Sequence, residues 1–393
     1  MGMTEEIRKK LDEAKEVYRS KNYHEAHDMY QTLFSENSED FNQWDKIFYS
    51  WSIYQLNVKN FDDESQLLQS VELITDLTSQ SDLKKSKTCA YTLSVFKVLD
   101  HLYRNKEYES VLYWLDKIDP TLLDSKPSEY NGVIYPSRLE KYYNYASKSY
   151  IECKDYENCI LISDKALRSL SKFTNSSDAW FNWRIAKSLR ALNKPEDALT
   201  YLNEVSKVKR DWFIPKEMAE NYFMLDDKEN ALKYVAEAIL TDEPSSLKVN
   251  LYHLVYKILK DDEPDIALTH AKLVVALKLK NNVDIPNDLE ELSIDDSELG
   301  IGELEDDIKQ YWLKYKFKNQ EMQFGTITKI FDHGRSGFIT SIYNESFHFN
   351  VYEFKDDMAL LDEGLSVSFY TQKGFDKSKN QETINAVNIK VND

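Results

Sequence analysis

Phe324-Gly325-Thr326-Ile327-Thr328-Lys329-Ile330-Phe331, a turn at Asp332-His333-Gly334, then Arg335-Ser336-Gly337-Phe338-Ile339-Thr340: this stretch decides how the chain is built. Two runs of β-branched and aromatic residues around a Gly-bearing turn read as paired strands. Three further runs follow, Phe347–Asn350, Leu361–Phe369 and Ala386–Val391, separated by Gly, Asn and Asp clusters. Five short strands within residues 322–393 suit a small all-β barrel. Everything upstream reads as helix, so the expected fold class is mainly α with one β module at the end.

The stretch resembles the cold-shock domain, an OB-like barrel. Gly325 to Ile339 matches without a gap, Phe347-His348-Phe349 stands at the second nucleic-acid-binding strand, and Glu363-Gly364, Val367 and Phe369 match the fourth strand. The resemblance covers about a fifth of the chain. It implies a surface on which aromatic side chains stack on unpaired bases, each stack being worth ~1–3 kcal/mol. Phe338, His348 and Phe349 keep the stacking positions, with Lys329 and Arg335 near phosphate. Lys329 replaces the Trp usual in that family, and Ser336 and Ser346 replace aromatics. The module holds 7 Lys plus Arg against 10 Asp plus Glu, a net of −3, so it has few cations for phosphate. A barrel that has kept its fold and exchanged its ligand is the competing reading.

With 393 residues, the chain has room for two or three domains, or for one elongated array plus a module. Gly (9) and Pro (8) are scarce, which favours long helices with short turns. The formal charge of −18 repels bulk nucleic acid and anionic membrane, so any nucleic-acid contact must be local. Cys89, Cys153 and Cys159 are too few for a disulfide framework or a zinc site and are expected to be small buried groups. The first residues carry no basic region followed by an apolar run, and no run approaches ~18 apolar residues. A cytoplasmic protein is expected.

An aromatic-x-x-small turn recurs along the helical part, as in Asn22-Tyr23-His24-Glu25-Ala26 and Asp155-Tyr156-Glu157-Asn158-Cys159. Three small residues that open second helices, Ala198, Ala231 and Ala267, are 33 and 36 residues apart. Ala186, Ala219, Ala238, Ala14 and Tyr30 fall at matching positions. Helices cross closely only where side chains are small. A period near 34 with paired helices resembles the tetratricopeptide repeat. About seven helix pairs are expected in a solenoid over 3–282, the N-terminal ones longer and less regular.

The resemblance implies a concave face, lined by the first helix of each repeat, that binds a protein partner. The register puts Lys141, Asn144 and Lys148 there from one repeat, Trp183, Lys187 and Arg190 from the next, with Trp180 nearby, and Lys216 from the third. Such a groove suits an acidic peptide or a chain-terminal carboxylate, Arg and Lys binding carboxylate and Trp supplying an apolar anchor. It could also take nucleic-acid phosphate, or be a solvated face with both Trp in the core.

Residues 283–301 read as an acidic linker: from Val283 to Asp307 there are eleven Asp plus Glu and no Lys or Arg. It could be a spacer, fold back on the basic groove, or mimic nucleic-acid charge. Residues 302–320 read as an amphipathic connecting helix, with Tyr311, Trp312 and Tyr315 among Lys314, Lys316 and Lys318. These either pack the helix or give the 322–393 barrel a basic, stacking flank.

No phosphate loop, nucleophile elbow or metal-ligand spacing is present, so no enzyme, cofactor or metal is expected. The leading expectation is an adaptor that holds a protein partner and places the barrel at single-stranded RNA or DNA. The alternative is a purely protein-binding scaffold. The domain combination also resembles accessory proteins of bacterial anti-phage gene clusters.

Overall fold

Apolar periodicity makes the helices, and a left-handed residue closes most of their turns. The computed structural model describes residues 5–81, 89–290, 292, 300–376 and 381–392. The chain divides into two units, Met1–Asp226 and Asp227–Asp393.

The first unit holds α1 (Glu5–Arg19), α2 (Tyr23–Asn37), α3 (Gln43–Ile53), α4 (Glu64–Leu77), α5 (Ala90–Asn105) and α6 (Tyr108–Asp116). After a hairpin of β1 (Ser128–Tyr130) and β2 (Val133–Tyr135) come α7 (Arg138–Glu152), α8 (Tyr156–Ser169), α9 (Ser177–Ala191), α10 (Pro195–Val208) and α11 (Phe213–Met224). Besides Asp226 after α11, four first helices end on a residue of positive φ: Lys21, Lys106, Lys154 and Asn193. The next N–H returns to a carbonyl five residues back, as from Glu107 to Leu102 at 3.0 Å and from Asp155 to Tyr150 at 2.9 Å. This closes the helix C-terminus with non-glycine residues, at roughly 1 kcal/mol each. Two of the second helices, α4 and α8, are then capped by aspartates, Asp63 accepting from Gln66 N and Asp155 from Asn158 N. Ala14, Ala26, Ala186, Ala198 and Tyr30 are all buried where helices meet. The β1–β2 hairpin was not expected. Its turn, Asn131-Gly132, has positive φ at both residues, as a two-residue hairpin loop requires.

The second unit opens with α12 (Lys228–Ile239), α13 (Val249–Leu259) and α14 (Pro264–Lys280), so the first helices expected in the array begin at 5, 43, 90, 138, 177, 213 and 249. Part of the acidic segment is ordered as α15 (Asn287–Glu290), held by buried Leu289 and by Asp288 against His253 at 2.8 Å. Its Glu291, Asp295, Asp296 and Glu298 lie outside the described residues. Next comes α16 (Ile301–Phe317), which packs on α12 and α14. Trp312 is fully buried and donates through Nε1 to His270 Nε2 at 2.9 Å. His270 in turn bonds the Ile266 carbonyl through Nδ1 at 2.7 Å. The ring is neutral in this arrangement, and burial pushes its pKa down to about 4. Tyr311 donates to Glu263, and Phe317 stacks flat on Tyr370, ring centres 4.1 Å apart. The aromatics of α16 therefore pack the helix.

The barrel is built from β3 (Gln323–Ile330), β4 (Ser336–Ser341), β5 (Ser346–Asn350), β6 (Ser366–Asp376) and β7 (Gln381–Val391). It closes in the order β3-β4-β5-β7-β6, with β5 and β7 parallel and the other pairs antiparallel. This is the five-stranded architecture expected of an OB-like barrel. β6 and β7 run longer than their apolar patterns, pairing as far as Asp376 with Gln381. The core is Ile327, Ile339, Phe347, Phe349, Phe354, Val367, Phe369, Ala386 and Ile389. At Gly337 the sheet is so close that a Cβ would stand 2.2 Å from the Lys329 carbonyl and 2.8 Å from Phe349. No other residue fits there.

Candidate functional site

Side chains alternate across a strand, so register decides which residues reach the barrel surface. Lys329 pairs with Phe338, and Phe338 with His348, which puts the three in one row across β3, β4 and β5. A bulge between Ile327 and Lys329 turns Lys329 outward after the buried Ile327. Two residues on, Phe331 joins the same face. Its ring meets Phe338 edge-on at 5.5 Å, and Phe338 meets His348 at 5.7 Å. Lys329 Nζ lies 5.6 Å from the Phe331 ring centre. Arg335 is exposed at the turn, its N–H held by His333.

Phe349 corrects the expected platform. It is 0 % exposed and sits inside the barrel, because β5 turns Phe347 and Phe349 inward and Ser346, His348 and Asn350 outward. Phe331 takes the third aromatic place. The signal for it was the same two-residue alternation, counted from Lys329.

Half of the barrel's acids are engaged in its own backbone. Glu363 accepts from Ile330 N, Glu353 from Asn388 N, Asp356 from Val391 N, Asp357 from Ala359 N and Asp362 from Glu363 N. Five of the module's ten acids thus serve loop closure, and the row of Lys329, Phe331, Phe338 and His348 has no ion pair among the described residues.

The groove expected on the helical array is charge-satisfied at most of its cations. Lys141 pairs with Asp100 at 3.3 Å, and Tyr145 donates to the same carboxylate. Lys148 pairs with Glu152 at 2.5 Å. Arg190 of α9 reaches Glu217 at 2.9 Å and also Glu220, both on α11; Lys216 meets Glu220 at 2.7 Å. Burial pushes the Lys216 ammonium down from its usual range. Asn144 accepts from Arg184 at 3.1 Å. Lys187 lies 4.6 Å over the ring of Trp183, which packs with Trp180 and Phe213. The structure brings Trp183, Lys187, Arg190 and Lys216 to one α9–α11 contact, and Lys141, Asn144 and Lys148 to α7. Arg184, absent from the expected set, joins α7 to α9.

No helix among the described residues is long and apolar enough to cross a membrane. A family profile described as a domain of unknown function (DUF7017) matches residues 179–298. No curated protein matches the chain. Among solved structures, a tetratricopeptide repeat protein from Parabacteroides merdae aligns at 13 % identity and TM-score 0.34, covering 79 % of this chain and 100 % of that one. The apo form of RapI aligns at 14 % identity and TM-score 0.39, covering 79 % and 85 %. The TPR2AB domain of yeast Sti1 in complex with pHSP90 aligns at 11 % identity and TM-score 0.27, covering 64 % and 98 %. By its own geometry the chain is a helical-repeat array joined to a five-stranded barrel, with a cation–aromatic row on the barrel and mostly ion-paired cations on α7, α9 and α11.

Proposed function

We propose that this chain is a non-enzymatic adaptor: the helical array holds a protein partner, and the barrel binds single-stranded RNA or DNA weakly by stacking. The observation that carries the second half is the outward row Lys329–Phe338–His348 with Phe331 against it. Half-buried rings held by their neighbours offer a preformed surface, and every base has a π-face to set on it. Lys329 and Arg335 add two cations, which limits the salt dependence to a log–log slope of about −1.4 for a single strand.

Fluorescence anisotropy of the full chain with labelled single-stranded RNA and DNA tests this. Micromolar binding is expected, and Phe338→Ala and Phe331→Ala should each weaken it by about 1–3 kcal/mol while leaving the barrel folded. Absence of binding at low salt sinks the nucleic-acid half.

One feature favours a second reading, in which the barrel docks a protein. Met322, Phe324, Ile342 and Tyr343 are exposed, and the Ile342 N–H bonds the Phe324 carbonyl, so an apolar patch adjoins one end of β3 and β4. If nucleic acid fails to bind, that patch is the surface to mutate next.

A further inference from the structure

Within the second unit, a crevice runs between α16 and the strands β6 and β7, away from the outer row of the barrel. It has two adjoining compartments, of about 260 and 190 Å³, and both are walled by Gln310, Leu313, Phe317, Asn388 and Lys390. Together they fall within the ordinary size of a small-molecule site, roughly 300–1,000 Å³. The smaller compartment adds Met322 and Tyr370 and is mainly apolar. The larger adds Lys309, Lys316 and Lys355 and is mainly polar.

Helix periodicity brings the cations there. Lys309, Leu313 and Lys316 are spaced i, i+4 and i+7, so one face of α16 presents two lysines around an apolar residue. Lys309, Lys316 and Lys390 have no ion pair among the described residues, whereas Lys355 meets Glu353 at 3.7 Å and donates to the Tyr352 carbonyl at 2.8 Å. Of the four acids on the same wall, Glu353 accepts from Asn388 N and Asp356 from Val391 N, and Asp242 and Asp306 are exposed. Lys316 is half-buried, 5.3 Å over the Phe317 ring. Burial pushes its ammonium down from its usual range, although Glu353 and Glu237 pull the other way.

The strand register places Asn388 at a bulge. Ser368 pairs with Lys390 and Tyr370 with Val387, so Asn388 and Ile389 together oppose Phe369. Bulges re-aim side chains and are frequent beside functional sites. Asn388 takes a φ of 49°, and its Oδ1 is buried without a donor among the described residues. An unmet buried amide oxygen costs stability, and this one belongs to the residue that both compartments share. No arginine stands on either wall among the described residues. The arginine fork suits carboxylates, whereas lysines, as point charges, suit phosphate with its three oxygens and higher charge.

We propose that this crevice binds a small phosphate monoester with an apolar body. Lys309, Lys316 and Lys390 hold the phosphate in the larger compartment, and the body rests against Leu313, Met322 and Tyr370 in the smaller.

Isothermal titration calorimetry of the full chain with naphthyl phosphate, naphthol and inorganic phosphate, at low salt, tests this. Saturable binding of naphthyl phosphate is expected, with naphthol and inorganic phosphate each at least tenfold weaker. Lys316→Met should weaken the ester at least tenfold, and Lys390→Met and Asn388→Gly several-fold. Glycine accepts the positive φ of Asn388, and Lys390 is exposed, so these two variants keep the proposal testable if Lys316→Met does not fold. Absence of saturable ester binding overturns the site, as does binding that all three variants leave unchanged. Inorganic phosphate binding as tightly as the ester overturns the role of the apolar body. Loss of ester binding in Phe338→Ala but in none of the three variants moves the phosphate to the outer row of the barrel and overturns the crevice assignment.

Discussion

The barrel face and the helical groove both set cations beside aromatic rings, but the cations are in different states. On the barrel, Lys329 has Phe338 across the strand and Phe331 along it, and the nearby Glu363 is already held by the Ile330 amide. In the groove, Lys148, Lys216 and Arg190 are each met by a carboxylate one turn away or on the next helix. A helix surface brings residues i and i+4 together, and an array adds the neighbouring helix, so charges there tend to find partners. An outward strand position has few neighbours, and beside Lys329 they are the rings of Phe331 and Phe338. Counting lysines therefore overstates the groove and understates the barrel.

The sharpest break of this comparison is inside the barrel. Phe349→Ala should cost about 3–5 kcal/mol of barrel stability, because its ring fills the core against Gly337. Phe338→Ala, on the neighbouring strand but on the outer face, should cost about 1 kcal/mol or less. Hydrogen exchange of barrel amides separates the two, and equal losses would mean the inward–outward assignment is wrong.

Next in size is the acid response of the second unit. The folded pKa of His270, about 4, lies below the ordinary 6.5, so between these values the unfolded chain binds the proton and the folded chain does not. The stabilisation is complete above pH 6.5 and is lost as pH falls towards 4, amounting to about 3 kcal/mol at most. Trp312 fluorescence should report the loss, and His270→Gln should flatten the dependence.

The groove makes a third contrast. Arg190→Met strands Glu217, which is nearly buried, and should destabilise unit 1 by about 2 kcal/mol, the partial exposure of Arg190 reducing the usual cost of breaking a buried pair. Lys329→Met on the barrel has no ion pair to break and should leave barrel stability within about 0.5 kcal/mol of the original. Denaturant titrations of the two variants compare them directly. One small effect is expected as a gain: Lys106→Gly should stabilise unit 1 by about 0.5–1 kcal/mol, since Lys106 closes α5 with a φ of 64°.

How much of this was visible in the chain differs between elements. The recurrence of Ala198, Ala231 and Ala267 marked helix pairs because close crossing demands small residues, and these three are buried at such crossings. The five β-rich runs marked a barrel, and five strands close it. Phe349 was misread because a His-Phe dipeptide looks like two surface aromatics until the strand register assigns each to a face. Trp312 was ambiguous because an aromatic stripe on an amphipathic helix serves packing and stacking equally well in one dimension. The hairpin of Ser128–Tyr135 was announced by Asn131-Gly132 and passed over among helices.

Local chemistry, then, was enough for the class of each part: periodicity, turn residues and small-residue spacing act within a few positions of the chain, and they specify helix pairs and strands. Pairing over long separations was left to the packing. Asp100 reaches Lys141, Glu217 reaches Arg190, and His270 reaches Trp312 only once helices are stacked. Those contacts decide which cations are neutralised and which ring is core. Availability of a charged or aromatic group depends on its three-dimensional neighbours, because Coulomb attraction and burial act through space and take no account of distance along the chain.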